Sequence, residues 1–151
     1  IVNNVNDAPI ITALNDYSAQ EDSDPKSITL EAKDIDDDAL FYSAYSDTSG
    51  VKISISSNVL TYELAQDYFG EAEIVAVVND SSKASDSTIF KLKVENIQDV
   101  PKPFFWNTVQ SDSINITSEN ATSTYNLDWT ESVDVDGDTI DYIIYAKVGE
   151  Y

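Results

Sequence analysis

The sequence contains no cysteine and no histidine. Without cysteine there is neither a disulfide framework nor a thiolate site, so a secreted domain of this size must rest on its core or on bound ions. Without histidine the chain forgoes the usual zinc ligand and the commonest general base. Basic residues are scarce: 8 Lys and Arg stand against 28 Asp and Glu, a net charge of −20. That balance argues against nucleic acid and anionic membrane surfaces, both of which attract basic patches. It also creates self-repulsion, which metal cations or high salt would offset. Long apolar runs are missing too. The longest, from Ile74 to Val78, is far short of a membrane span. No signal peptide precedes Ile1 and the chain opens in mid-linker, so the expectation is a piece of something longer.

What the chain does have is a repeated acidic stretch. Residues 34–45 read DIDDDALFYSAY and residues 134–145 read DVDGDTIDYIIY. In each, three aspartates at alternate positions precede apolar and aromatic residues. Asp34, Asp36 and Asp38 correspond to Asp134, Asp136 and Asp138, and Tyr42 to Tyr142. A separation of 100 residues is about the size of one β-sandwich.

Between the copies the chain reads as short strands. A first, around Ile10-Ile11 and Tyr17, is broken by residues 20–25. Residues 27–33 (SITLEAK) alternate, with Ile28, Leu30 and Ala32 on one face. Alternation resumes over 39–46. Residues 51–55 and 59–62 form a hairpin-like pair across Ser56-Ser57-Asn58. The loop 64–70, with one expected turn of 3₁₀ helix, carries Tyr68 to plug the end of the core. Residues 71–79 and 87–94 bring the count to seven. No stretch has helical periodicity, and seven strands at this spacing predict a Greek-key β-sandwich.

Residues 95–103 (ENIQDVPKP) repeat the opening, NIQDVP echoing NVNDAP 92 residues earlier. Two prolines stiffen this junction and end sheet pairing. The expected organisation is a leading linker at 1–9, a sandwich at 10–95, a proline-containing linker at 96–103 and a partial β-domain at 104–151. Three strands are expected in the last part, near 113–117, 123–130 and 139–147. Trp129 should be buried on the inner face with Leu127, against Tyr142 or Ile144. That is under half a sandwich, so either the natural chain continues or another chain completes it by strand addition.

The linker, the acidic loop and their spacing resemble the bacterial cadherin-like tandem repeats, Ig-like modules of large surface adhesins. Asn6-Asp7-Ala8-Pro9 matches part of the cadherin linker motif. Glu21 stands where the glutamate after the first strand would, Asp34-Ile35-Asp36 matches D-x-D, and Asp80 sits at the exit of the sixth strand. The L-D-R-E motif is replaced by Leu60-Thr61-Tyr62-Glu63. Residues 104–151 look more like the start of a fibronectin type III or related Ig-like domain, with Trp129 in the place of its core tryptophan. The resemblance implies an extracellular, cell-surface spacer or stalk unit, or a filament component. Its implied partners are neighbouring repeats and other copies of itself, without nucleic acid or membrane insertion.

A carboxylate-rich site without nitrogen or sulfur suits calcium, which takes six to eight oxygens in irregular geometry. Strand polarity gathers Asp7, Asp34, Asp36 and Asp80 at the leading pole, with Asp38 and the Asn6 carbonyl as further ligands. Glu21, the 63–67 loop, Asn96 and Asp99 fall at the trailing pole, where the next acidic loop, Asp134, Asp136 and Asp138, is expected to face them across the linker and fix the angle between modules. The plainer alternative makes these aspartates turn formers on a solvated surface. An EF-hand is excluded: from either Asp134 or Asp34, positions six and twelve are not Gly and Glu. Carboxylate pairs alone suggest a glycosidase, but no nucleophile elbow or phosphate loop accompanies them, so no enzyme activity is expected. Most aromatics read as core. An exposed aromatic row on one sheet face would instead favour a carbohydrate-binding or other ligand-binding module of a secreted protein. In Phe104-Phe105-Trp106 at least one ring must pack on the junction or lie exposed. Asn79, Asn115 and Asn120 begin glycosylation sequons, matches that arise by chance in such a composition.

Overall fold

Two of the seven expected strands are each broken in two, so the described residues hold nine. The computed structural model describes residues 5–105, 107 and 128–145; the expected strand at 113–117, Trp106, Leu127, and the sequons at Asn115 and Asn120 lie outside them. The chain divides into two compact units, Ile1–Ile97 and Gln98–Tyr151. In the first, β1 (Ile10–Ile11) and β2 (Tyr17–Gln20) replace one expected strand, and β3 (Lys26–Thr29) and β4 (Ala32–Lys33) another. β5 (Phe41–Ser46), β6 (Val51–Ser56), β7 (Val59–Leu64), β8 (Gly70–Asn79) and β9 (Ser85–Glu95) follow.

The sandwich sets a four-stranded sheet, β2-β9-β8-β5, against a three-stranded one, β3-β7-β6, with β1 and β4 pairing separately. All pairs are antiparallel except β2 with β9, which run parallel. The period-two reading holds in the core. β8 buries Ala72, Ile74, Ala76 and Val78, and β9 buries Thr88, Phe90, Leu92 and Val94. Leu30, Leu60 and Tyr62 meet them from the opposite sheet.

The breaks have identifiable causes. Across the first, Ile11 N–H donates to Asp86 at 3.0 Å and Leu14 N–H to Thr88 Oγ1 at 3.3 Å. These side chains take up backbone donors that a continuous strand would give to a ladder. At the second, Leu30 N–H donates to the Asn58 carbonyl at 2.8 Å, and the Asn58 amide returns a bond to the Leu30 carbonyl at 3.1 Å. The β6–β7 connection is a two-residue turn, since Ser56 already pairs with Val59. Ser57 takes a left-handed φ of 56° in it. The 64–70 loop is a simple turn rather than a 3₁₀ helix, closed by Tyr68 N–H on the Ala65 carbonyl at 3.2 Å. Tyr68 does pack on the core end, lying flat over Gly50.

In the second unit, Phe105 and Asn107 bond to Thr130 and Asp128, through Thr130 N–H to the Phe105 carbonyl (2.7 Å) and Asn107 N–H to the Asp128 carbonyl (2.9 Å). Of the expected strand at 123–130, only 128–130 are described, and Trp129 is a single bridge residue. Residues 139–145 do not form the expected strand. They are held by side chains instead: the Tyr142 hydroxyl accepts from Ser132 N–H at 2.7 Å, and its ring packs on Phe104 and Trp129 at 5.3 and 5.5 Å between centroids. Trp129 is half-buried rather than largely buried, and Ile144 is exposed. Phe105 is exposed, one of the two outcomes expected for a ring of its run.

Candidate metal centre

The acidic loop of the first unit folds on its own first aspartate. Asp34 Oδ1 accepts from Asp36 N–H at 2.8 Å and from Asp38 N–H at 3.4 Å. This is the short Asx-type turn that aspartate favours. The turn needs a left-handed residue, and Asp37 supplies it with φ 58°. Asn6 and Asp7 then tie this loop to the β8–β9 turn. Asp7 N–H donates to Asp36 Oδ2 at 2.8 Å, and the Asn6 amide donates to Asp80 Oδ2 at 2.7 Å. Asp80 is only 3% exposed, and its other oxygen accepts from Ala84 N–H at 2.8 Å. Asp7, Asp34, Asp36 and Asp80 are therefore joined at the leading pole of this unit through one hydrogen-bonded network, with Asp38 on the same loop. Asp34 Oδ2 is buried and has no hydrogen-bond partner.

The trailing pole of the same unit holds Glu21, directly after β2, where β9 ends. Glu21 is 2% exposed. Its N–H donates to the Glu95 carbonyl at 3.0 Å, and its Oε1 accepts from Ile97 N–H at 2.6 Å. Its Oε2 is buried with no hydrogen-bond partner. Asp22 and Asp67 lie beside it in the chain and in the 64–70 loop, joined by Asp67 N–H to Asp22 Oδ1 at 3.1 Å, and both take left-handed φ values (54° and 56°). Neither was among the expected ligands, although Asp22 follows Glu21 directly and Asp67 lies in a loop already placed at this pole. Asn96 is exposed just past β9.

The second unit repeats the leading-pole turn. Asp134 Oδ1 accepts from Asp136 N–H at 3.0 Å and from Asp138 N–H at 3.2 Å. Gly137 takes the left-handed position with φ 79°. Asp99 N–H donates to Asp136 Oδ2 at 2.6 Å, as Asp7 does to Asp36. Asp138 accepts from the Gln98 amide at 2.9 Å.

A β-sandwich of this topology, opened by a linker that docks on its own acidic loop, is matched by the family model for the bacterial Ig domain over residues 6–93. The chain belongs to the bacterial Ig domain family. Its bacterial Ig domain is similar in structure to Drosophila N-cadherin EC1-4 (16% identity, TM-score 0.49, 68% of this chain and 27% of that one). Human mucin-like protocadherin EC1-2 matches at 20% identity and a TM-score of 0.47, over 62% of this chain and 56% of that one. A nucleoside hydrolase-related hypothetical protein from Saccharophagus degradans, associated with carbohydrate metabolism, matches at 21% identity and 0.48, over 60% and 26%. The chain thus spans less than two thirds of each of these proteins. No curated protein matches it. No helix among the described residues is long and apolar enough to cross a membrane.

Proposed function

We propose that this bacterial Ig domain is an extracellular repeat module, a non-catalytic spacer or stalk unit whose acidic poles hold calcium. The observation that carries the calcium reading is the pair of buried carboxylate oxygens, Glu21 Oε2 and Asp34 Oδ2, that lack a hydrogen-bond partner. A buried carboxylate oxygen without a donor is costly unless a cation neutralises it. Both belong to residues expected as ligands from the resemblance to cadherin-like repeats. Hard oxygen donors on irregular loops fit calcium better than magnesium, which demands an octahedron and keeps its waters.

At the leading pole Asp7, Asp34, Asp36 and Asp80 would hold the ion, with Asp38 as a further donor. Glu21, Asp22 and Asp67 would do so at the trailing pole. Asp99, Asp134, Asp136 and Asp138 form the leading-pole set of the second unit, with Asn96 on the way to it. A bound cation offsets part of the −20 charge and stiffens the segment that leaves one domain and enters the next. Neighbouring repeats of the same protein are the partners this role requires.

The test is thermal unfolding of the 151-residue chain in millimolar calcium and in excess chelator. Binding to the folded state alone at a hundredfold excess over Kd adds about 2.7 kcal/mol. The melting temperature should therefore fall by several degrees on chelation and be restored by calcium more than by magnesium. A melt indifferent to chelator would reduce the aspartates to turn formers.

A further inference from the structure

The outer face of the four-stranded sheet contains a charge-free area. In β5, Tyr42 and Ala44 pack on the core, so Phe41, Ser43 and Tyr45 point outward. Register places Tyr45 beside Val75 of β8, and Val75 beside Ile89 of β9, in one row across three strands. The next row outward along the strands is Ser43, Val77 and Ser87, and the last is Phe41, Asn79 and Ser85. Phe41 and Tyr45 are each 59% exposed and Ile89 is 55% exposed. No residue in the three rows is charged, in a chain with 28 acids. Charge returns just beyond, where Glu71 pairs with Lys91 at 3.7 Å and Lys93 with Glu95 at 3.6 Å.

Two aromatic side chains with three aliphatic neighbours make an apolar surface, and the serines and Asn79 around them offer hydroxyl and amide groups. We infer that this face binds a neutral polysaccharide: the rings lie against the C–H faces of the sugars, and the serine and asparagine groups hydrogen-bond their hydroxyls. Size and charge favour this occupant. The area measures roughly 14 Å along the strands and about 10 Å across them, from strand rise and spacing. That is on the order of 140 Å², against about 800 Å² per partner in a stable protein interface. A second copy of a chain carrying −20 is also repelled, and so is an acidic polymer. An uncharged chain-like ligand needs only this footprint. An open, flat site binds weakly by itself, and a repeated module compensates by offering it many times over.

The test is native electrophoresis of the 151-residue chain through gels containing barley β-glucan, galactomannan or hydroxyethylcellulose, with carboxymethylcellulose as the acidic control. At least one neutral polymer should retard the protein, and the acidic one should not. Tyr45→Ala and Phe41→Ala should each reduce the retardation by fivefold or more. Their melting temperatures should remain unchanged, because both rings are exposed. Mobility unaffected by all three neutral polymers would overturn the inference. So would retardation that survives both substitutions, or sedimentation showing a dimer that Tyr45→Ala dissolves. Chelator should not alter the retardation, which separates this site from the calcium reading.

Discussion

The backbone N–H of Asp7 donates to the carboxylate of Asp36 at 2.8 Å, so the linker is bonded to the domain it introduces. Asp99 and Asp136 form the same bond at 2.6 Å. A charge-assisted bond of this kind fixes where the chain enters the sandwich. Its recurrence shows that the second acidic loop shares the first one's turn and its docking partner as well as its sequence.

The two loops differ at one informative position. Asp37 holds the left-handed conformation at φ 58°, and Gly137 holds it at φ 79°. A side chain pays for that region and glycine does not, although glycine gains entropy in the unfolded chain. Asp37→Gly should therefore raise stability by about 0.5 kcal/mol, and by more at low salt, where removing one of the four aspartates in the loop also relieves repulsion. Urea unfolding at two ionic strengths measures both effects. A loss of stability would show that the Asp37 carboxylate has a role of its own.

Glu21→Gln separates a buried charge from a buried hydrogen bond. Glutamine keeps an acceptor for Ile97 N–H but removes the negative charge. With calcium present the substitution should lower the melting temperature by several degrees. In chelator it should be neutral or stabilising, because an uncompensated buried carboxylate is relieved. The same shift in both conditions would mean that no cation acts at this residue.

Gly50 is required by its neighbour. A Cβ at that position would come within 2.1–2.6 Å of the Tyr68 ring, whose hydroxyl bonds the Glu71 carbonyl at 3.2 Å. Gly50→Ala should cost about 2 kcal/mol, as overpacking does. In a Tyr68→Ala background the cost should nearly vanish. Chemical denaturation of the four variants gives the coupling.

Tyr62 is nearly fully buried, and burial, then the neighbouring Tyr17, raises its hydroxyl above the ordinary value of 10.0. The folded state thus keeps this proton longer than the unfolded state does. Its contribution to stability is intact below pH 10 and is lost as pH rises through the higher folded value. Tyr62→Phe should therefore flatten the fall in melting temperature above pH 10 and leave the neutral range little changed. Parallel alkaline limbs for the two proteins would contradict the assignment.

Much of this was legible in residue order. Alternation in 87–94 marks Thr88, Phe90, Leu92 and Val94 as the buried face, and the acidic triplets mark both loops, since each rests on contacts a few residues apart. The sheet switch between β1 and β2 was not legible. It depends on Asp86 and Thr88, more than 70 residues away, capturing the backbone of Ile11 and Leu14. The burial of Glu21 was hidden for a similar reason, because the segment ending at Ile97 closes on it. The outward placement of Phe41 and Tyr45 could have been deduced. With Tyr42 inward, period two puts both on the other face, away from the core assigned to most aromatics.

The parallel pairing of β2 with β9 governs how the domain bears tension. Tyr17–Gln20 and Leu92–Glu95 run side by side in the same direction, the first joined to the leading end and the second to the trailing end. Pulling the two ends apart slides these strands along each other, so their hydrogen bonds share the load instead of opening one at a time. Under the proposed spacer role, a domain clamped in this way would resist tension through the whole strand pair at once.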